Sequence, residues 1–176
     1  MKKYLVISGS GPDRVGLVDE ISAYLSSHKL NIEDSRMAVL GGEFALILLV
    51  SGEEKDINWL KKHFAELASR TGLKLSSRDT IAPTQRALKQ IIPYQMTVSG
   101  MDHPGIVREF TAILHKYTIN IESMETKLSP APLSGTTIFK LECKLAIPAE
   151  VKIGKLKAEL SRTAEQDNLD LDFEPL

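Results

Sequence analysis

The sequence predicts an α+β fold built as two tandem β-α-β-β-α-β units with antiparallel sheets, and three observations carry that reading. The first is an internal repeat: Ser10–Val18 (SGPDRVGLV) and Ser99–Val107 (SGMDHPGIV) share the pattern S-G-x-D-x-x-G-[I/L]-V at an offset of 89 residues. The same offset holds without a gap through Asn31-Ile32-Glu33 and Asn120-Ile121-Glu122. The second is that apolar spacing changes from strand-like before each copy to helix-like after it. The third is length, because 176 residues divide into units of roughly 80 to 90 residues, near the lower end of what buries its own core. The halves are therefore expected to lean on each other or on a second chain, as in a homodimer.

Tyr4-Leu5-Val6-Ile7 is a short β-rich run that ends at the breakers Gly9-Ser10-Gly11-Pro12, so it reads as a first strand entering a turn. After Asp13, Leu17, Val18, Ile21 and Leu25 fall at helical intervals with polar residues between them, as in a helix packing one face on a sheet. Asn31-Ile32 opens the second strand, and Gly41-Gly42 marks a hairpin before Phe44–Val50. Ser51–Asp56 is polar. Ile57, Leu60, Phe64 and Leu67 then predict one helix, stopped by Gly72 before a last strand from Leu73. This order is the ferredoxin-like arrangement.

The linker has a proline near each end, and Thr84–Ile92 predicts a short helix between Pro83 and Pro93. The second unit repeats the order: strand Tyr94–Ser99, a helix with Ile106, Phe110, Ile113 and Leu114 on its apolar side, and strands from Asn120 and over Thr136–Ile147. A final helix holds Leu156 and Leu160, and Leu169, Leu171 and Phe173 alternate in the last strand. Pro130-Ala131-Pro132-Leu133 lengthens the hairpin of this unit alone. In the second unit Ile138, Lys140, Glu142 and Lys144 alternate with Phe139, Leu141, Cys143 and Leu145, which leaves one sheet face polar. The matching strand of the first unit, Phe44–Val50, is apolar on both sides and calls for a second cover, either the linker (Ala87, Leu88, Ile91) or another chain.

Composition narrows the function classes. Net charge is −1, with 11 basic and 11 acidic side chains in residues 1–83 and 11 and 12 in residues 84–176, so no basic footprint for DNA or RNA is concealed in a neutral average. No apolar run is long enough for a membrane span, and the apolar part of the N-terminus is too short for a secretory signal. The single cysteine, Cys143, excludes an internal disulfide framework. A cytoplasmic protein is expected. His28, His63, His103 and His115 form no metal-ligand spacing, no G-x-S-x-G elbow occurs, and no cofactor or catalytic group is expected. Cys143 reads as a buried inert thiol, Trp59 and Tyr117 as core or half-buried helix residues. His103 differs from the other histidines in sitting within the repeated loop.

The repeated loop itself carries the remaining chemistry. Gly9-Ser10-Gly11 before a helix suggests a phosphate loop, but no Gly-Lys-Ser/Thr follows and the second unit keeps only Gly100 and Gly105. In the structural reading, Gly16 and Gly105 let the helix approach the sheet while Asp13 or Asp102 caps its first turn. In the functional reading, loop N–H donors, that carboxylate and the amide of Asn31 or Asn120 meet at one edge. They would then offer donors for a carboxylate and acceptors for an ammonium, the two ends of a free amino acid.

The D-x-x-G-[L/I]-V loop, the Asn-Ile strand opening and the element order resemble the ACT domain, a small regulatory module that commonly binds amino acids. Two such units in one chain, with S-G-P-D-R-x-G-L-V near the start, resemble the glycine cleavage system transcriptional repressor family. The opening also resembles the N-terminal ACT domain of formyltetrahydrofolate deformylase, whose long catalytic domain has no counterpart in these 176 residues. The resemblance implies units at 1–80 and 93–176 joined by a linker at 81–92. It implies ligand contacts from Gly11, Asp13, Arg14 and Asn31 in the first unit and Gly100, Asp102, His103 and Asn120 in the second, where one unit's loop faces its neighbour's asparagine. Val15 replaces a proline common in the family, so the second unit's D-H-P-G is the fuller form. The function implied is a non-catalytic sensor of glycine or a similar amino acid that acts on a transcription factor through protein contact. The alternatives are a regulatory subunit of a metabolic enzyme and a nucleic-acid-binding ferredoxin-like module.

Overall fold

A computed structural model describes residues 1–82, 90–130 and 135–176. The chain divides into two compact units, Met1–Ala87 and Leu88–Leu176. The first contains β1 (Lys2–Pro12), α1 (Leu17–Ser27), β2 (Asn31–Leu40), β3 (Glu43–Glu53), α2 (Glu54–Lys62), α3 (Phe64–Thr71) and β4 (Lys74–Thr80). The second contains β5 (Ile91–Met101), α4 (Ile106–Lys116), β6 (Asn120–Pro130), β7 (Thr137–Pro148), α5 (Ile153–Gln166) and β8 (Leu169–Pro175). Each sheet is antiparallel throughout, in the orders β2-β3-β1-β4 and β6-β7-β5-β8. Both are mixed α/β sandwiches with helices on one face, as the alternating apolar pattern predicts.

The cores follow from that alternation. Leu5, Ile7, Leu48 and Val50 of the first sheet are buried against Ile21 and Leu25 of α1 and Leu60 of α2. Met96, Cys143 and Leu145 hold the places of Ile7, Leu48 and Val50, buried with Phe110, Leu114, Leu156 and Leu160. Trp59 of α2 is stacked between two imidazoles: its ring centroid lies 3.7 Å from that of His28 and 4.2 Å from that of His63. Nδ1 of His28 donates to the Tyr24 carbonyl (2.8 Å) and Nδ1 of His63 to the Trp59 carbonyl (2.9 Å), so both rings are packing elements at helix ends.

Several expectations are corrected. The polar run Ser51–Asp56 holds the end of one element and the start of the next: β3 continues to Glu53, its ladder with β1 extending to Lys2↔Glu53, and α2 begins at Glu54. The helix after it is two helices broken at His63, whose N–H is shared between the carbonyls of Trp59 and Leu60 at 3.1 Å each. Ile91 and Ile92 belong to β5 rather than to the linker, since the long β7 pairs with them as far as Ile91↔Pro148. Pro93 is tolerated there: its carbonyl accepts from Leu176, so its nitrogen faces the side where β8 has already ended. The rest of the expected linker helix falls at residues 83–89, and most of the lengthened hairpin at 131–134, both outside the described residues.

The away-facing side of β3 keeps Ala45 exposed, Ile47 48% exposed and Leu49 half-buried. The apolar pattern of Phe44–Val50 therefore buries one side, and the second side is open among the described residues. In the second unit the corresponding face carries Lys127, Lys140 and Lys144 among Glu125, Glu142, Asp170, Asp172 and Glu174, by register. Among the described residues it has no aromatic side chain, and its carboxylates outnumber its lysines. This composition does not fit a base-stacking platform.

Candidate functional site

The two repeated loops connect β1 to α1 and β5 to α4, and each is pinned by one backbone bond. Asp13 N–H donates to the Gly42 carbonyl (2.9 Å) and Asp102 N–H to the Thr137 carbonyl (3.1 Å). Neither aspartate caps its helix. The N-caps are Gly16 (φ 90°) and Gly105 (φ 112°), with no side-chain cap, and a Cβ at Gly16 would meet nothing within 4 Å. These glycines supply a left-handed turn rather than room for the sheet. Close approach belongs instead to Gly11 and Gly100, where a Cβ would lie 3.1 Å from the Gly72 carbonyl and 3.2 Å from the Asn168 carbonyl. Those two candidate ligand residues thus have structural duties.

Within one unit the structure does not bring the asparagine to the loop. Asn31 pairs with Ser51, which pairs with Tyr4, whereas the loop leaves β1 at Pro12, opposite Glu43. Eight residues of strand separate these ends, about 26 Å at roughly 3.3 Å per residue. The cause is α1, which runs back along the sheet before β2 starts.

Each asparagine precedes a β-bulge, at Ile32/Asp34 and at Ile121/Ser123. In unit one Glu33 stands at the bulge, and its Oε1 accepts from Lys2 Nζ (2.8 Å), Asn31 Nδ2 (3.1 Å) and Ser51 Oγ. Lys2 above all, then Ser51 and Asn31, hold the Glu33 carboxyl down at about 2. In unit two, register puts Ile91 and Ala146 where Lys2 and Ser51 stand. There the amide of Asn120 is exposed and has no partner among the described residues.

The loops differ as well. The guanidinium of Arg14 bonds Glu20 of α1 and donates to the Arg70 carbonyl of α3 at 3.3 Å. Its counterpart His103 hydrogen-bonds the Pro104 carbonyl at 3.3 Å and acts on Glu109 by charge alone. Glu109, the counterpart of Glu20, then faces Asp167 at the end of α5. A hydrogen bond with Asp167, then burial and the Asp167 charge, push the Glu109 carboxyl above its usual range. Apart from that contact with Glu109, Oδ2 of Asp167, which is shut off from solvent, meets no hydrogen-bond partner among the described residues.

Beside the second loop is a cavity of about 420 Å³ lined by His103, Gly105, Ile106, Val107, Arg108, Thr111 and Phe139. Its wall is the start of α4, whose first N–H groups have no side-chain cap. With the Arg108 guanidinium they present N–H donors of the kind a carboxylate accepts. Arg108, Thr111 and Phe139 escaped the sequence reading. A residue-by-residue superposition of the two repeats would have drawn attention to the α4 start, but Phe139 comes from a distant strand. No group of three metal-ligating side chains occurs among the described residues, and none of their helices is long and apolar enough to cross a membrane.

Comparison with known proteins identifies the family. The glycine cleavage system transcriptional repressor of Escherichia coli (strain K12) is 33% identical over 128 residues, which cover 73% of this chain and 66% of that protein. The chain thus matches just under two thirds of the length of that relative. A crystal structure of an unknown protein from Galdieria sulphuraria superposes with a TM-score of 0.84 at 34% identity, over 100% of this chain and 99% of the other. A crystal structure provisionally assigned as a glycine cleavage system transcriptional repressor superposes with a TM-score of 0.71 over 100% of this chain and 98% of the other. At 20% identity that likeness shows the fold alone. The sequence model of the ACT domain matches residues 3–77 and again 94–174, so the chain belongs to the ACT domain family and carries the domain twice.

Proposed function

We propose that this protein is a non-catalytic amino-acid sensor that binds glycine or a similarly small amino acid and regulates a transcription factor of glycine and one-carbon metabolism through protein contact. The observation that carries the reading is the 420 Å³ cavity at the D-H-P-G loop of an ACT domain, walled by uncapped helix N–H groups and Arg108. Such a wall suits the carboxylate end of an amino acid. The E. coli relative named as a repressor of the glycine cleavage system supports the choice of ligand and of target. The face of unit two, with more carboxylates than lysines, supports action through a protein rather than directly on DNA. A ligand regulates here by binding one arrangement of the protein better than another.

A thermal-shift panel of the twenty amino acids tests the reading. A ligand present at about 100 times its dissociation constant adds roughly 2.7 kcal/mol of stability. Glycine or another small amino acid is expected to raise the melting temperature, and no shift with any of the twenty at millimolar concentration would overturn the proposal.

A further inference from the structure

We propose that the open sheet face of unit one is a self-docking surface, on which a second copy of the chain packs its own unit-one face about a two-fold axis parallel to the strands. The proposal concerns assembly and stands apart from the amino-acid-sensing reading above.

Register defines the face. Its central row runs Asp34, Leu49, Val6, Arg78 across β2, β3, β1 and β4. The next row toward the loop carries Ile47 on β3, and the one after it Ala45. Leu49 and Val6 are half-buried while Ala45 and Ile47 are exposed, so an apolar strip lies along the inner strands between charged rims. Beyond the central row, on the side away from the loop, the strip ends in polar contacts. There the buried Ser51 donates to Glu33, and Lys2 Nζ stands 5.4 Å from the Tyr4 ring centroid.

The order of that central row selects the occupant. From β2 to β4 it reads acid, apolar, apolar, base, and turning a second copy over about an axis along the strands reverses the order without shifting the row. Asp34 then meets the partner's Arg78, Leu49 the partner's Val6, and each contact occurs twice. Both rim groups are available. Arg78 is exposed and has no hydrogen-bond or ion-pair partner among the described residues. Asp34 accepts from Ser35 N–H (2.8 Å) and Arg36 Nη1 (2.6 Å) on Oδ1 alone, which leaves Oδ2 for the partner.

Size and contrast agree with this choice. Four strands about 4.8 Å apart, followed over roughly 26 Å from Ser51 to Glu43, project about 500 Å² per partner. Two such faces reach the roughly 1,000 Å² that a specific interface needs. Unit two does not repeat the pattern: one of its rows runs Glu125, Glu142, Thr97, Asp172, and the same rotation would set Glu125 against the partner's Asp172. Laid on unit one instead, that face would press Glu142 and Lys144 onto an apolar strip.

Sedimentation velocity of the full chain at micromolar concentrations tests the proposal, and a dimer is expected. Ile47→Glu, at an already exposed position, is expected to keep the wild-type circular dichroism and to leave the chain monomeric. Asp34→Arg and Arg78→Asp are each expected to weaken association at least tenfold, because like charges then meet at both rims. Mixing these two variants is expected to restore dimers, since each substituted position then meets its opposite charge on the other chain. The charge variants carry the test if Ile47→Glu does not fold. A monomeric wild type, with the linker or another segment of the same chain as the cover, would overturn the proposal. So would a dimer that survives Ile47→Glu, or a mixture that associates no better than its components.

Discussion

Lys2 Nζ lies 2.8 Å from Glu33 Oε1, joining the first residue of β1 to the bulge of β2. Glu33 titrates at about 2 in the folded protein against an ordinary value of 4.5. A lowered carboxyl contributes stability that is present above the unfolded value and is lost as pH falls through the folded one. Unit one is therefore expected to lose stability between pH 4.5 and about 2, and Glu33→Gln to flatten that part of the profile. Melting temperature against pH, for wild type and variant, checks this.

Glu109 has the opposite sign. Its carboxyl is raised, chiefly by the hydrogen bond with Asp167, so it costs stability as pH climbs from 4.5 through the raised value. Glu109→Gln is expected to melt higher than wild type at pH 7 in the absence of ligand and to converge with it at acid pH. Thermal denaturation at the two pH values reads the difference.

Two glycines of unit two predict opposite outcomes for one substitution. Gly105→Ala forces a side chain to adopt φ 112° and is expected to cost about 1–3 kcal/mol. Gly154→Ala, in the first turn of α5 with nothing within 4 Å of its Cβ, is expected to gain about 0.4–1 kcal/mol. Denaturant unfolding of both variants makes the comparison.

Cys143 is 1% exposed, and burial pushes its thiol up to about 11. It is expected to resist an aromatic disulfide reagent at pH 8 in the native protein and to react fully in denaturant. Fast reaction without denaturant would contradict the burial.

The element order and both cores were legible in the sequence because alternation at Leu46–Val50 and helical spacing at Ile106–Leu114 are local patterns with one solution each. The helix break at His63 was not, since it depends on one N–H shared between two carbonyls. The candidate site was legible only in part. Asp102, His103 and Gly105 stand out because the chain repeats their pattern, but Asn31 lies at the far end of its own sheet, a result of chain direction that no motif records. Glu109 and Asp167 are 58 residues apart in the chain, and neither belongs to a recognisable pattern. Their relationship exists only once α4 and α5 lie side by side.

The stack of Trp59 between His28 and His63 gives the protein a natural pair of probes. The chain has one tryptophan and one cysteine, and they fall in different units: the indole in unit one, the buried thiol in unit two. Red-edge excitation therefore sees emission from unit one alone, already shaped by the two flanking imidazoles, while thiol trapping times the opening of unit two. A ligand that slows trapping of Cys143 and leaves Trp59 emission unchanged reports its own location, with no label attached and no residue replaced.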